Sequence, residues 1–224
     1  MGIFSEGQKK ADLRRSIEMS KKLRLIFWLT VAQGILLTIF SIFNYTRVLA
    51  NVLPIPALAL MDFIIWLIMF GVAITDSIMI LLLFKHDDRF LIAGIVLLVC
   101  TIPEHLLMLV LDIRAVALLA FPIATRIFII KKFSQGMTTC LRTIDYSLSR
   151  SWDTLVGVYT GTAITLIVVD FARRYLFKTA LFSVIYIAVF LLGALVSAVM
   201  YIILLRRSST VMANFTPEPE VAKS

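Results

Sequence analysis

The stretch from Leu58 to Phe84 reads LALMDFIIWLIMFGVAITDSIMILLLF, and only Asp62 and the Thr75-Asp76-Ser77 triplet break its apolar run. A helix needs about 20 mostly apolar residues to cross the roughly 30 Å of hydrocarbon in a bilayer. The run is long enough for this and ends at the charged turn Lys85–Arg89. It therefore predicts a transmembrane helix.

The composition of the whole chain agrees with this stretch. Hydrophobic residues make up 60% of the 224 residues, charged residues 16%, and the mean hydropathy is +0.96. Soluble domains carry about 25% charged residues, and disordered or collagen-like chains carry far fewer apolar ones. These classes are excluded. The sequence predicts an all-α fold, a polytopic helical membrane bundle.

Five further apolar runs have lengths close to that of a membrane span. They are Leu25–Phe43, Phe90–Leu111, Ala115–Ile130, Leu155–Val169 and Ala180–Leu205. We therefore predict about six transmembrane helices, which would place both termini on one side of the membrane. Ala115–Ile130 is short, so the fourth helix is the one least certain to cross fully.

These runs divide the chain into five predicted segments. Residues 1–24 form a basic cytoplasmic segment, residues 25–130 the first four transmembrane helices with their buried charges, and residues 131–153 an amphipathic helix on the inner surface. Residues 154–207 form the last two transmembrane helices. The tail, 208–224, contains Thr-Pro-Glu-Pro-Glu and is predicted to be disordered.

The distribution of Lys and Arg predicts the orientation. The net charge is +8, and sixteen of the 22 basic residues fall on one side if the N-terminus is inside, against five on the other. Cytoplasmic loops are enriched in Lys and Arg, so both termini are predicted to be cytoplasmic. The basic, cysteine-poor chain favours a plasma membrane, and a mitochondrial inner membrane is the alternative. Arg173, Arg174 and Lys178 disagree with this. Either they reach an outer headgroup layer, or the fourth or fifth helix does not cross completely.

Residues 133–152 carry an apolar stripe at intervals of three and four, which is the period of an amphipathic helix. The stripe comprises Phe133, Met137, Leu141, Ile144, Leu148 and Trp152. Arg142 and Arg150 could contact anionic headgroups, so a helix lying on the inner leaflet is predicted. The alternative is a helix packed beneath the bundle.

Four ionisable residues lie deep inside the predicted spans: Asp76, Glu104, His105 and Arg126. A charge in hydrocarbon costs a few kcal/mol, so such residues face a partner, a cavity or water. They either line an ion pathway or form a buried cluster that fixes the register of the helices. Asp62, Arg114 and Asp170 lie near predicted interfaces and are expected to be solvated.

Steps of three residues from Arg114 reach Arg126 and then Lys132. A basic fourth span beside acidic second and third spans, followed by an inner-surface helix and two more spans, resembles the layout of the voltage-gated cation-channel superfamily. That resemblance implies a charge-sensing bundle. Only about eight residues, 172–179, separate the last two spans, which is too short for a re-entrant pore helix and filter. A conventional pore is therefore excluded, and only the layout is shared.

Small residues four apart let helix backbones approach closely in a membrane. Gly157 and Gly161 have this spacing on the fifth span, and Gly193 and Ser197 on the sixth. They predict either packing between these two spans or contact between subunits.

Signals for chemistry are missing from the sequence. There is no Cys/His metal cluster, phosphate-binding Gly loop or nucleophile motif, so no enzymatic activity, cofactor or metal is expected, and nucleic acid is not an expected partner. The first hypothesis is an ion-transport or channel-type protein that forms a homo-oligomer or associates with other membrane subunits. The alternative is a non-catalytic structural or assembly subunit of a larger membrane complex.

Overall fold

The computed structural model describes residues 2–49, 56–110, 116–172 and 180–215. Six long helices follow one another along the chain: α1 (Gly2–Leu49), α2 (Pro56–Leu81), α3 (Asp88–Val110), α4 (Val116–Leu141), α5 (Tyr146–Phe171) and α6 (Ala180–Ala213). One short 3-10 turn, Leu82–Lys85, follows α2, and no strand occurs among these residues. The predicted all-α fold is confirmed for these residues, and each of the six predicted spans falls largely within one helix.

Polar side chains set the two turns that the structure describes. Between α2 and α3, the Asp87 carboxylate accepts a hydrogen bond from the Arg89 N–H at 2.8 Å. Between α4 and α5, Asp145 has extended backbone angles, and its carboxylate accepts from the Leu148 N–H at 2.9 Å. An aspartate in this position satisfies a free N–H of the first helical turn and so fixes where the helix begins.

The helices are arranged as a closed ring. Each helix packs against its neighbours in the sequence, and α1 completes the ring by packing against α6. Two buried serines hold this closing contact: the Ser16 hydroxyl donates to the Met212 carbonyl at 2.6 Å, and that of Ser20 to the Ser209 carbonyl at 2.7 Å. The ring therefore joins residues almost 200 positions apart.

The best-packed core lies at one end of the ring, where the described turns and the first helix meet. We call it the basic end, because Lys22, Lys85 and Arg89 are close to it. At its centre the Phe133 ring contacts the rings of Phe90, Trp152 and Tyr201, with centroids 5.3–5.9 Å apart. The Trp152 indole N–H also donates to the Ser208 hydroxyl at 3.0 Å. Helices α3, α4, α5 and α6 are thus joined through one aromatic cluster.

The outer surface of the ring is apolar. Large hydrophobic side chains are exposed along the helices, including Leu67, Val99, Val168 and Leu192. Three of the described stretches are long and apolar enough to cross a membrane: Phe63–Lys85, Tyr146–Val169 and Leu195–Ala213. An apolar exterior of this extent is typical of a protein surrounded by lipid. The structure is consistent with an integral membrane protein.

The predicted surface helix over residues 131–153 is not present as one helix. The segment is the end of α4, a turn, and the start of α5. Its apolar stripe is buried in the core instead of facing lipid: Phe133, Met137, Leu141, Leu148 and Trp152 are at most 4% exposed. Arg142 and Arg150 are exposed. The Asp145 cap begins a new helix in the middle of the predicted segment. The stripe is therefore divided between α4 and α5, and both parts face the core.

Two other predicted boundaries also differ. Helix α1 runs from Gly2 to Leu49 without a break, so the described part of the basic segment 1–24 continues the first span. At the other end, α6 extends to Ala213, and Ser208, Ser209 and Met212 are buried against α1 and α5. The tail can therefore begin no earlier than Asn214, and residues 216–224 lie outside the described part of the chain.

Gly94 on α3 allows the close approach of α2. A Cβ atom at this position would lie 2.7 Å from the backbone N and Cα of Leu81, and a backbone contact cannot be relieved by a rotamer change. We expect Gly94→Ala to lower the free energy of unfolding by about 1–3 kcal/mol, the usual cost of overpacking. Gly71→Ala is the matched control, because a Cβ there meets nothing within 4 Å. Unfolding titrations in detergent would check this, and equal effects of the two variants would refute the close approach.

Candidate functional site

An ion pair joins α3 to α4 inside the ring. The Arg126 Nη2 atom lies 2.9 Å from Glu104 Oε2. The Glu104 side chain is 11% exposed, and its second oxygen, Oε1, is buried with no hydrogen-bond partner in the described part of the chain. Arg126 is 42% exposed and thus reaches the edge of the ring. Glu104 directly follows Pro103, which leaves one backbone carbonyl of α3 without its usual donor.

A second buried carboxylate, that of Asp76, lies within range of the Arg126 charge. Asp76 on α2 is 8% exposed, and its Oδ1 atom is buried without a hydrogen-bond partner among the described residues. The charge of Arg126 acts on Asp76, and the charge of Asp76 acts on the Tyr201 hydroxyl of α6. We call Asp76, Glu104 and Arg126 the buried charge cluster.

The two carboxylates are staggered along the bundle. Asp76 precedes Lys85 by nine residues and so lies about 13 Å from the basic end at 1.5 Å per residue. Glu104 follows Arg89 by fifteen residues, which places it about 22 Å from that end. The two acids thus lie about 9 Å apart along the bundle, and Arg126 forms its ion pair with Glu104, not with Asp76, in the described part of the chain.

Uncharged polar groups accompany the buried charge cluster on neighbouring helices. Ser77 on α2, Thr125 on α4 and Ser197 on α6 are buried, and the Ser197 hydroxyl has no partner within the described ranges. The Tyr159 hydroxyl on α5 is close enough to Arg126 and Glu104 for their charges to act on it. Polar groups from five helices therefore line the inside of the ring, whereas its outside is apolar.

The chemistry of the buried charge cluster follows from its charge balance. Two carboxylates face one guanidinium, so the three groups together carry one uncompensated negative charge when all are ionised. An unpaired carboxylate in an apolar interior must take up a proton, a cation or water. Asp76, which forms no ion pair in the described part of the chain, is therefore the carboxylate of this cluster that can take up a proton or a cation.

His105 on α3 is the remaining residue of the predicted charge set, and its side chain lies outside what the structure describes, as do the side chains of Asp62 and Asp170. Arg114 lies outside the described residues altogether. Lys132 is about 5.6 Å from the centre of the Phe128 ring, which is a cation–π distance.

Of the three glycines predicted to lie at helix contacts, one lies at a packed contact between α5 and α6 and two do not. Gly193 on α6 lies directly against the Thr162 side chain of α5, so these two helices approach closely there. Gly157 and Gly161 have nothing within 4 Å of their Cβ positions and face away from the packed interior. Ser197 is buried. The α5–α6 contact thus uses Gly193, and the two α5 glycines are left for lipid or for another subunit.

A separate polar pocket of about 350 Å³ opens at the basic end. Asp12, Arg15, His86 and Cys140 are among its lining residues. Burial and the nearby ammonium group of Lys22 lower the pKa of His86, so the imidazole is neutral at pH 7. Burial also raises the pKa of the Cys140 thiol to about 12, with a contribution from Asp87. This thiol is therefore protonated and a poor nucleophile.

Sequence reasoning missed the polar residues that surround the cluster. Tyr159 and Tyr201 look like ordinary members of apolar runs, and only the ring geometry brings them near the charges of Asp76, Glu104 and Arg126. Comparison of the chain with protein-family models, with curated proteins and with solved structures finds no match.

Proposed function

We propose that this chain is an ion-transport or channel-type membrane protein, with six membrane-spanning helices, that moves protons or monovalent cations past the buried charge cluster. The observation that supports the proposal is the pair of staggered carboxylates, Asp76 and Glu104. Each has a buried oxygen without a hydrogen-bond partner in the described structure. The two acids lie about 9 Å apart along the bundle, with Arg126 paired to Glu104, and provide two places at which a proton or cation can be held in turn.

The arrangement of charge supports a topology for this function. We propose that both termini are cytoplasmic and that the basic end faces the inner leaflet of a plasma membrane, as the Lys and Arg bias indicates. We also propose a homo-oligomer, because Gly157 and Gly161 present a small-residue face without a partner in one chain. Anionic lipids are the expected surroundings of the basic end.

Flux through reconstituted protein tests this function. Purified protein in liposomes with an internal pH dye and a potassium diffusion potential is expected to pass protons faster than empty liposomes. Asp76→Asn is expected to lower that flux at least about tenfold, because it removes the negative charge that attracts the ion. Asp88→Asn is the matched control, since Asp88 is exposed at the start of α3. Equal loss in both variants, or no wild-type flux of protons, sodium or potassium, would contradict the proposal.

A structural or assembly subunit is the second candidate. The observation that favours it is the 2.9 Å ion pair itself, because a pair between α3 and α4 fixes the register of two helices whether or not anything passes. In that case the purified chain would show no flux and would be recovered in good yield only together with foreign membrane subunits.

A further inference from the structure

The serine contacts between α1 and α6 set the register of a basic cleft. Ser16 donates to Met212 and Ser20 to Ser209, so the two helices run antiparallel in this region. One helical turn farther along both helices, this register brings Arg24 of α1 level with Arg206 of α6. The buried hydrogen bonds of Ser16 and Ser20 thus fix the register that brings the two arginines to the same cleft.

Arg24 and Arg206 line one cleft of about 390 Å³, together with Phe27, Trp28, Ser209 and Thr210. Neither guanidinium has an acidic partner among the described residues. The hydroxyls of Ser209 and Thr210 already donate to backbone carbonyls, those of Ser20 and Arg206, and so hold the wall of the cleft in place. Two unpaired like charges in one cleft repel each other unless an anion lies between them.

The cleft also has an apolar side. Phe27 and Trp28 of α1 line this side, and Trp28, one turn beyond Arg24, is 60% exposed. Next to the cleft, Ile203 lies three residues before Arg206 on α6 and is 48% exposed. Tryptophan is enriched where hydrocarbon meets headgroups, and arginines adjacent to it reach the phosphate level. The cleft therefore combines a cationic part with an apolar part in the order that a phospholipid presents its phosphate and its chains.

We propose that this cleft binds the phosphate of one anionic phospholipid, held by the Arg24 and Arg206 guanidiniums, with an acyl chain lying along Trp28 and Ile203. Guanidinium groups match phosphate oxygens with paired, charge-assisted hydrogen bonds. The anion removes the repulsion between the two arginines and thereby joins α1 to α6 at the closing contact of the ring. This inference depends on insertion in a membrane but not on ion transport.

Native mass spectrometry of the purified full chain tests the site. After incubation with phosphatidylglycerol or phosphatidylcholine in detergent, the wild-type chain is expected to retain one phosphatidylglycerol with at least about tenfold preference. Arg24→Gln and Arg206→Gln are each expected to weaken retention about tenfold or more, the usual effect of losing a hydrogen bond to a charged group. Arg207→Gln is the matched control, because Arg207 is exposed on the same helix and does not line the cleft.

Three outcomes would overturn the proposal. One is the same loss of lipid in Arg207→Gln as in Arg206→Gln, which would indicate a diffuse charge effect. Another is equal retention of phosphatidylcholine by the wild-type chain. The third is full displacement of phosphatidylglycerol by about 10 mM inorganic phosphate, which would show recognition of phosphate without the lipid. Because Arg24 and Arg206 are both exposed, elution of the variants as the wild-type species would show that their folding is intact.

Discussion

Replacing Phe133 with alanine is expected to lower the free energy of unfolding by about 3–5 kcal/mol, the range for removing a large buried aromatic side chain. Phe133 is 2% exposed, and its ring contacts Phe90, Trp152 and Tyr201. The truncation would leave a cavity where α3, α4, α5 and α6 meet, and three edge-to-face ring contacts would be lost together. Truncation at Phe133 is therefore expected to weaken the packing of all four helices together.

Unfolding by SDS in mixed micelles, followed by tryptophan fluorescence, would measure this loss, since Trp152 lies directly against Phe133. Phe84→Ala removes the same number of atoms at a position that is 40% exposed and is expected to cost less than about 1 kcal/mol. A small effect at Phe133, or an equally large one at Phe84, would show that the aromatic cluster is not the packed centre of the ring.

The helices could be predicted because a helix in a membrane follows from hydropathy and length alone. Each apolar run corresponds to one helix, and turns such as Lys85–Arg89 separate them clearly. The burial of the apolar stripe from Phe133 to Trp152 in the protein core could not be predicted by the same reasoning. An amphipathic period does not specify whether the apolar face contacts lipid or protein. The local signal was Asp145, three residues before Leu148, which is the spacing of a helix cap.

The candidate site could be predicted in part for a physical reason. Charges in apolar runs stand out because they are costly, so Asp76, Glu104 and Arg126 were identifiable one by one. Their proximity depends on the ring, and no residue pattern specifies that α1 closes on α6 or that α2 lies close enough for Asp76 to interact with Arg126. The cleft at Arg24 and Arg206 could not be predicted either, because the two arginines are about 180 positions apart in the sequence and meet only when α1 packs against α6.

The two partners of the buried ion pair are expected to respond very differently to neutral substitution. Arg126→Gln removes the ion-pair partner of Glu104 and leaves a carboxylate that is 11% exposed without a cation. Because Arg126 itself is 42% exposed, the expected cost is about 1–3 kcal/mol, below that of breaking a fully buried pair. Glu104→Gln leaves an arginine that water can reach, and the new amide oxygen can still accept from the guanidinium, so a cost below about 1 kcal/mol is expected.

Flux measured beside stability on the same variants separates the two candidate functions, because the stability difference follows from the charges alone and is expected under both. For a transport protein, Glu104→Gln should unfold at nearly the wild-type SDS concentration while proton or cation flux falls at least about tenfold, because one carboxylate of the path is neutral. For a structural subunit, the ion pair acts only as a link between α3 and α4, so neither the wild-type chain nor either variant should pass protons or cations. A wild-type flux no greater than that of empty liposomes would therefore overturn the transport function and leave the helix-locking role, and an unchanged flux in Glu104→Gln would remove Glu104 from the path.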